Sequence, residues 1–153
     1  MRIFGFLIIA VSLLIVILSA FFGLPLPSAA KGLIDVTSLI CVLGPVLGGC
    51  LVAYGSEWGA AFKLRPNREE AEIAIGIYKL AVRISIGSGF IGVMFGVIAM
   101  LGAMGSVSGG MDLGALTRGA AVALITALYG LVFAFCLFLP LQYYFQHQLD
   151  QDS

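Results

Sequence analysis

The stretch Gly119–Pro140, GAAVALITALYGLVFAFCLFLP, is an apolar run with Thr126 near its middle. It is as long as the roughly 20 residues that a helix needs to cross the hydrocarbon core of a bilayer. Ala120, Ala123, Ala127, Gly130 and Ala134 recur at steps of three, four, three and four, so they line one helix face, with Thr126 beside them. Small residues in such a row let another helix come close.

The remainder of the chain belongs to the same class. Of 153 residues, 61% are hydrophobic and 10% charged, and the charges cluster in a few short segments. A soluble domain of this size needs more polar surface, and the expected fold is an all-α integral membrane protein with four transmembrane helices in a single membrane domain, residues 1–153. The formal net charge is zero, which offers nothing to nucleic acid.

The spans are read at 3–22, 36–54, 84–104 and 118–140, with a short cytoplasmic loop at 55–83 and a tail at 141–153. The first run, IFGFLIIAVSLLIVILSAFF, is longer than the roughly 7 to 15 residues of a signal-peptide core, although Ser28-Ala29-Ala30 keeps a cleavage reading open. In the second span Gly44 and Gly48 are spaced for a helix-helix contact, and Pro45 removes one backbone donor. The segment 55–83 holds Glu57, Lys63, Arg65, Arg68, Glu69, Glu70, Glu72, Lys79 and Arg83. Asn67 followed by Arg68-Glu69-Glu70 reads as a helix start, and a helix running on into the third span stays open, although Gly76, Gly87 and Gly89 weaken the case for an unbroken rod. That span carries a second small-residue row, Ser85, Gly89, Gly92, Gly96, Ala99 and Ala103. Tyr54 and Trp58 mark a membrane interface, and Tyr143, Tyr144 and Phe145 read as aromatic anchors of the tail.

Lys and Arg counts orient the chain. Arg2, Lys63, Arg65, Arg68, Lys79 and Arg83 fall on one side and Lys31 and Arg118 on the other, which places both termini and the 55–83 loop in the cytoplasm. Cys41, Cys50 and Cys136 lie in apolar stretches without metal-ligand spacing and read as buried packing residues. His147 reads as a solvated interfacial residue. No phosphate loop, metal-binding pair or nucleophile triad is present, so neither an enzyme nor a cofactor or metal site is expected.

No Asp, Glu, Lys or His lies deep in any expected span. Ion carriers place an ionisable group there because that group binds or neutralises the ion. Two readings stay open. The chain is a scaffold that conducts nothing, or it is the wall around a partner helix that brings the carboxylate. The two small-residue rows and Thr126 fit plain helix packing as well as a lined channel.

The second and fourth spans resemble the MotA/TolQ/ExbB proton-channel superfamily, most of all its flagellar stator MotA branch. The matching stretches are GLIDVTSLICVLGPVLGGCLVAYG, Gly32 to Gly55, and AVALITALYGLVFAFCLFLP, Ala121 to Pro140, with GFIGVMFGVIAML, Gly89 to Leu101, between them. The resemblance implies a bacterial inner-membrane, ion-driven motor or channel complex. In it a homo-oligomeric ring, five subunits in better-known members, surrounds a single-span partner of the MotB/TolR/ExbD type that supplies the ion-carrying Asp. It assigns an ion pathway and partner-facing surface to Thr126, Tyr129, Gly130, Ala123, Ala127, Ala134, Gly89, Gly92, Val93 and Gly96, and a coupling hinge to Pro140. Ala127 stands where stators usually have a second Thr, and Val93 where sodium-type relatives place a Thr in the third span, which favours protons. The large cytoplasmic domain of flagellar stators is missing, and Arg65, Arg68, Glu69, Glu70 and Glu72 are left as a reduced docking surface. Membrane lipid is the remaining expected partner.

Overall fold

The computed structural model describes residues 35–63, 66–105 and 113–151. The expected first span, the connector after it, Arg65 and the Gly/Ser-rich link before the last span lie outside these residues. The chain divides into two compact units, Met1–Val36 and Thr37–Ser153, and the architecture below is that of the second.

Every element among the described residues is helical. α1 covers Val36–Tyr54 and gives way to a 3₁₀ segment, Gly55–Phe62. α2 runs from Arg68 to Gly105, and α3 from Leu113 to Val132. A π segment, Phe133–Phe138, joins α3 to α4, Leu139–Gln151. Three stretches, Val36–Phe62, Arg68–Gly102 and Leu116–Gln151, are long and apolar enough to cross a membrane.

Local chemistry explains the breaks. Gly55 has φ of +49°, a backbone conformation that a residue with a Cβ rarely adopts, and α1 ends there. The start of α2 is half of a capping box: the Asn67 N–H donates to Glu70 Oε2 at 3.2 Å, and the Ala71 N–H closes the first turn on Asn67 O at 2.9 Å. Lys63 also pairs with Glu70, tying the end of the 3₁₀ segment to the first turn of α2. The π segment comes just before Pro140. Proline lacks an N–H and its ring collides with the carbonyl four residues back, so a widened turn lets the helix continue. The Leu139 N–H accordingly donates five residues back, to Ala134 O.

α2 runs on into the third span, the reading that its glycines had weakened. Its 38 residues are continuous, about 57 Å at 1.5 Å per residue, and well over the roughly 30 Å of a hydrocarbon core. At several of its glycines neighbours occupy the space that a side chain would fill, although Gly87 and Gly102 have nothing within 4 Å. Gly76 lies against the Tyr54 hydroxyl, and Gly89 faces the backbone of Gly130. Most of the charged 55–83 segment is therefore helix.

The charged half of α2 packs against α4, the 3₁₀ segment and the end of α1 around Ala71, Ala74, Ile77, Tyr78, Ala81 and Phe145. The Tyr78 and Phe145 rings stack with centroids 5.6 Å apart, and the Tyr78 hydroxyl donates to Ala61 O at 2.6 Å. Of the three aromatic residues expected as interfacial anchors, Phe145 is core, Tyr144 packs edge-on against it, and Tyr143 is exposed. Cys50 is buried, whereas Cys41 and Cys136 lie on the surface of the chain, contrary to the packing role expected for all three. Among the described residues no atom lies within 4 Å of a Cβ added to Gly44 or Gly48, so the contact expected of them is not made with those residues. His147 is half-buried.

Candidate functional site

The two small-residue rows meet each other. Among the described residues, backbone contact is most extensive between α2 and α3. Gly89 packs on Gly130, Gly92 on the Thr126 side chain, and Gly96 on Ala123, where a Cβ added to the glycine would come within 2.5 Å of the alanine methyl. Ser85 is fully buried and donates across the same contact to Gly130 O at 3.0 Å. Six of the residues assigned to an ion pathway are thus brought together as the faces of one intrachain helix pair.

The other assigned residues lie around that pair. Ala134 is buried inside the π segment, and Ala127 and Val93 are half-buried. Tyr129 is half-buried with its ring 6.3 Å from Phe133. Pro140 sits in the first turn of α4. Arg68, Glu69 and Glu72 are exposed on the first turns of α2, where Arg68 and Glu72 approach to 3.8 Å, a solvated pair of little energetic weight. Glu70 is held by Lys63 and Asn67 instead, and these hydrogen bonds keep its carboxyl below the usual carboxylate value.

Thr126 is 2% exposed and connects all three helices. Its hydroxyl donates to Val122 O at 2.7 Å, the usual bond of a membrane threonine to the preceding turn. The same hydroxyl lies 3.0 Å from the Ser38 hydroxyl on α1, which offers a second acceptor for its one proton. Ser38 was not singled out in the sequence, although its spacing was available. Ser38, Val42, Val46 and Cys50 recur every four residues and are the buried face of α1.

Above this hydroxyl pair a cleft of about 450 Å³ opens between the three helices. α1 contributes Thr37, Ser38 and Cys41, α2 contributes Gly92 and Gly96, and α3 contributes Val122 and Thr126, with Arg118 at the rim. Arg118 is the only ionisable side chain of its lining other than the Cys41 thiol. No group of three or more His, Cys, Asp or Glu that could hold a metal occurs among the described residues. The site offers hydroxyls, small residues and space, and it holds no carboxylate.

The sequence model of one family, described as the MotA/TolQ/ExbB proton channel family, matches residues 63–153, more than half of the chain. The chain belongs to the MotA/TolQ/ExbB family. The match takes in α2, α3, the π segment and α4, and stops short of α1, so Ser38 and the α1 side of the cleft are outside it. No curated protein matches the chain. As a MotA/TolQ/ExbB protein with three stretches able to span a bilayer, it is a multi-pass membrane protein of a proton-channel-related complex, in a family of channel and transport-coupling proteins that work with single-span partners.

Proposed function

We propose that the chain is a ring-forming subunit of a proton-driven inner-membrane motor or channel complex, surrounding a single-span partner whose membrane Asp carries the ion. One observation carries this reading: the cleft beside Thr126 and Ser38 offers hydroxyls between three helices long enough to span a membrane and lacks a carboxylate. A proton path needs a carboxylate or similar titrating group, and with no Asp or Glu lining the cleft the partner is its source. The membrane potential then supplies about 2.3 kcal/mol per charge per 100 mV, enough to move subunits between nearly equivalent packing states. Five copies, cytoplasmic termini, a Pro140 hinge and a small docking surface at Arg65, Arg68, Glu69, Glu70 and Glu72 complete the proposal.

The second reading, a scaffold that positions other membrane proteins without conducting ions, draws on the α2–α3 contact, which uses much of both small-residue rows inside the chain.

Thr126→Val separates the two. It keeps the shape and removes the hydroxyl, with Thr126→Ser as the control that restores it. In proteoliposomes holding the chain and its partner, proton flux should fall at least about tenfold in Thr126→Val, equivalent to about 1.4 kcal/mol on the barrier, and return in Thr126→Ser. Unchanged flux in the valine variant would leave the scaffold reading standing.

A further inference from the structure

Lys79 and Arg83 lie one turn apart on α2, at the point where its outer face turns from charged to apolar. Lys79, Arg83, Ile86, Phe90 and Met94 follow one another at steps of four, three, four and four, and all five are exposed. They form a single stripe that begins with two cations and continues as bare hydrocarbon surface. Among the described residues the salt bridges are Lys63–Glu70 and Arg68–Glu72, so the cations nearer the start of α2 have carboxylate partners and these two do not. Glu72 is two turns away from Lys79 and is held by Arg68.

The positions fit a membrane surface. The apolar run of α2 begins at Ile84, which puts Arg83 at the hydrocarbon boundary and Lys79 one turn, about 5.4 Å, beyond it. The polar headgroup layer extends about 5–7 Å past the hydrocarbon on each side, so both cations fall within it. Cβ atoms four residues apart on a helix are about 5–6 Å from each other, close enough for two long side chains to converge on one phosphate.

We infer that Lys79 and Arg83 form a binding site for the phosphate of an anionic phospholipid, whose acyl chains lie along Ile86, Phe90 and Met94. The inference needs α2 to cross a bilayer and is independent of proton conduction. A basic side chain near an anionic membrane surface strengthens binding about fivefold. Each cation removed should therefore weaken lipid retention by about that factor.

The test is native mass spectrometry of the full chain in detergent, titrated separately with phosphatidylglycerol and with the zwitterionic phosphatidylcholine. The expected result is preferential retention of phosphatidylglycerol, lost in Lys79→Gln/Arg83→Gln, kept in the charge-preserving Lys79→Arg/Arg83→Lys, and kept in Lys63→Gln/Arg68→Gln. Equal retention of the two lipids by the unaltered chain would overturn it. So would an equal loss in the Lys63/Arg68 variant, which would reduce the effect to overall charge. Dissociation of an oligomer in Lys79→Gln/Arg83→Gln with lipid retention unchanged would assign the pair to a neighbouring copy and likewise overturn the inference.

Discussion

The two halves of α2 are held by different physics. From Ser85 onwards it meets α3 through Gly89, Gly92 and Gly96, backbone against backbone, with one side-chain hydrogen bond from Ser85. From Arg68 to Arg83 it meets α4 and the 3₁₀ segment through Tyr78, Ile77 and Phe145, large side chains packed around alanines. In lipid no water is released when apolar surfaces join, so contact rests on close van der Waals approach and small residues win. Next to water, burying an aromatic ring is itself favourable, so large residues win. One helix therefore carries two packing codes, and the change between them falls at Arg83–Ser85, where the outer stripe also changes from charge to hydrocarbon.

The largest expected effect comes from the water-facing half. Phe145→Ala removes a ring that is 3% exposed and stacked on Tyr78, and should destabilise the α2–α4 contact by about 3–5 kcal/mol. Hydrogen exchange of the full chain should show α4 amides losing protection while the α2–α3 contact keeps its own. Equal loss in both regions would mean that the halves are one cooperative unit.

The membrane half is tested by Gly130→Ala. The new methyl would lie 2.8 Å from Ser85 O and 2.9 Å from Gly89 Cα. These are backbone atoms that cannot rotate away, and the expected cost is about 1–3 kcal/mol. Gly48→Ala, where nothing lies within 4 Å, should leave thermal melting in detergent unchanged. Similar melting losses in both variants would show that helix propensity, and not close approach, governs these glycines.

The smallest effect is the clip at the start of α2. Hydrogen bonds from Lys63 and from the Asn67 N–H lower the Glu70 pKa below its usual 4.5. A carboxylate with a lowered folded pKa stabilises the folded state above its unfolded value, and that contribution disappears as pH falls from about 4.5 through the lowered value. The amide signals of residues 67–71 in an NMR titration should shift over that window, and Glu70→Gln should abolish the dependence. The pair is exposed, so global melting should hardly move.

The sequence makes some of this architecture legible and hides the rest for a physical reason. Spacing alone shows that Gly89, Gly92 and Gly96 share a face, and that Ala123 and Gly130 share another. It does not show what fills each face, since a row of small residues suits a helix of the same chain, a second copy or a partner equally well. Gly44 and Gly48 have the same spacing, yet nothing among the described residues packs on them. The length of α2 was hidden because helix propensity counts each glycine against the helix, while Tyr54 and Gly130 occupy the space beside two of them. Phe145 was misplaced because an aromatic cluster after a proline looks the same whether it floats in the interface or folds back on a neighbour. Thr126 could be singled out from the sequence, but its partner Ser38 is 88 positions away and becomes visible only when α1 is in place.

The π segment before Pro140 gives the molecule unequal stiffness. α2 is a single shaft through both packing regimes, whereas the antiparallel α3–α4 rod has a widened joint between its glycine-contact and aromatic-contact parts. Under a twisting load the shaft transmits angle and the joint absorbs it. Bending between the two ends of the subunit would therefore concentrate at Phe133–Phe138, leaving the glycine contact in the membrane and the aromatic contact outside it to move as two nearly rigid blocks.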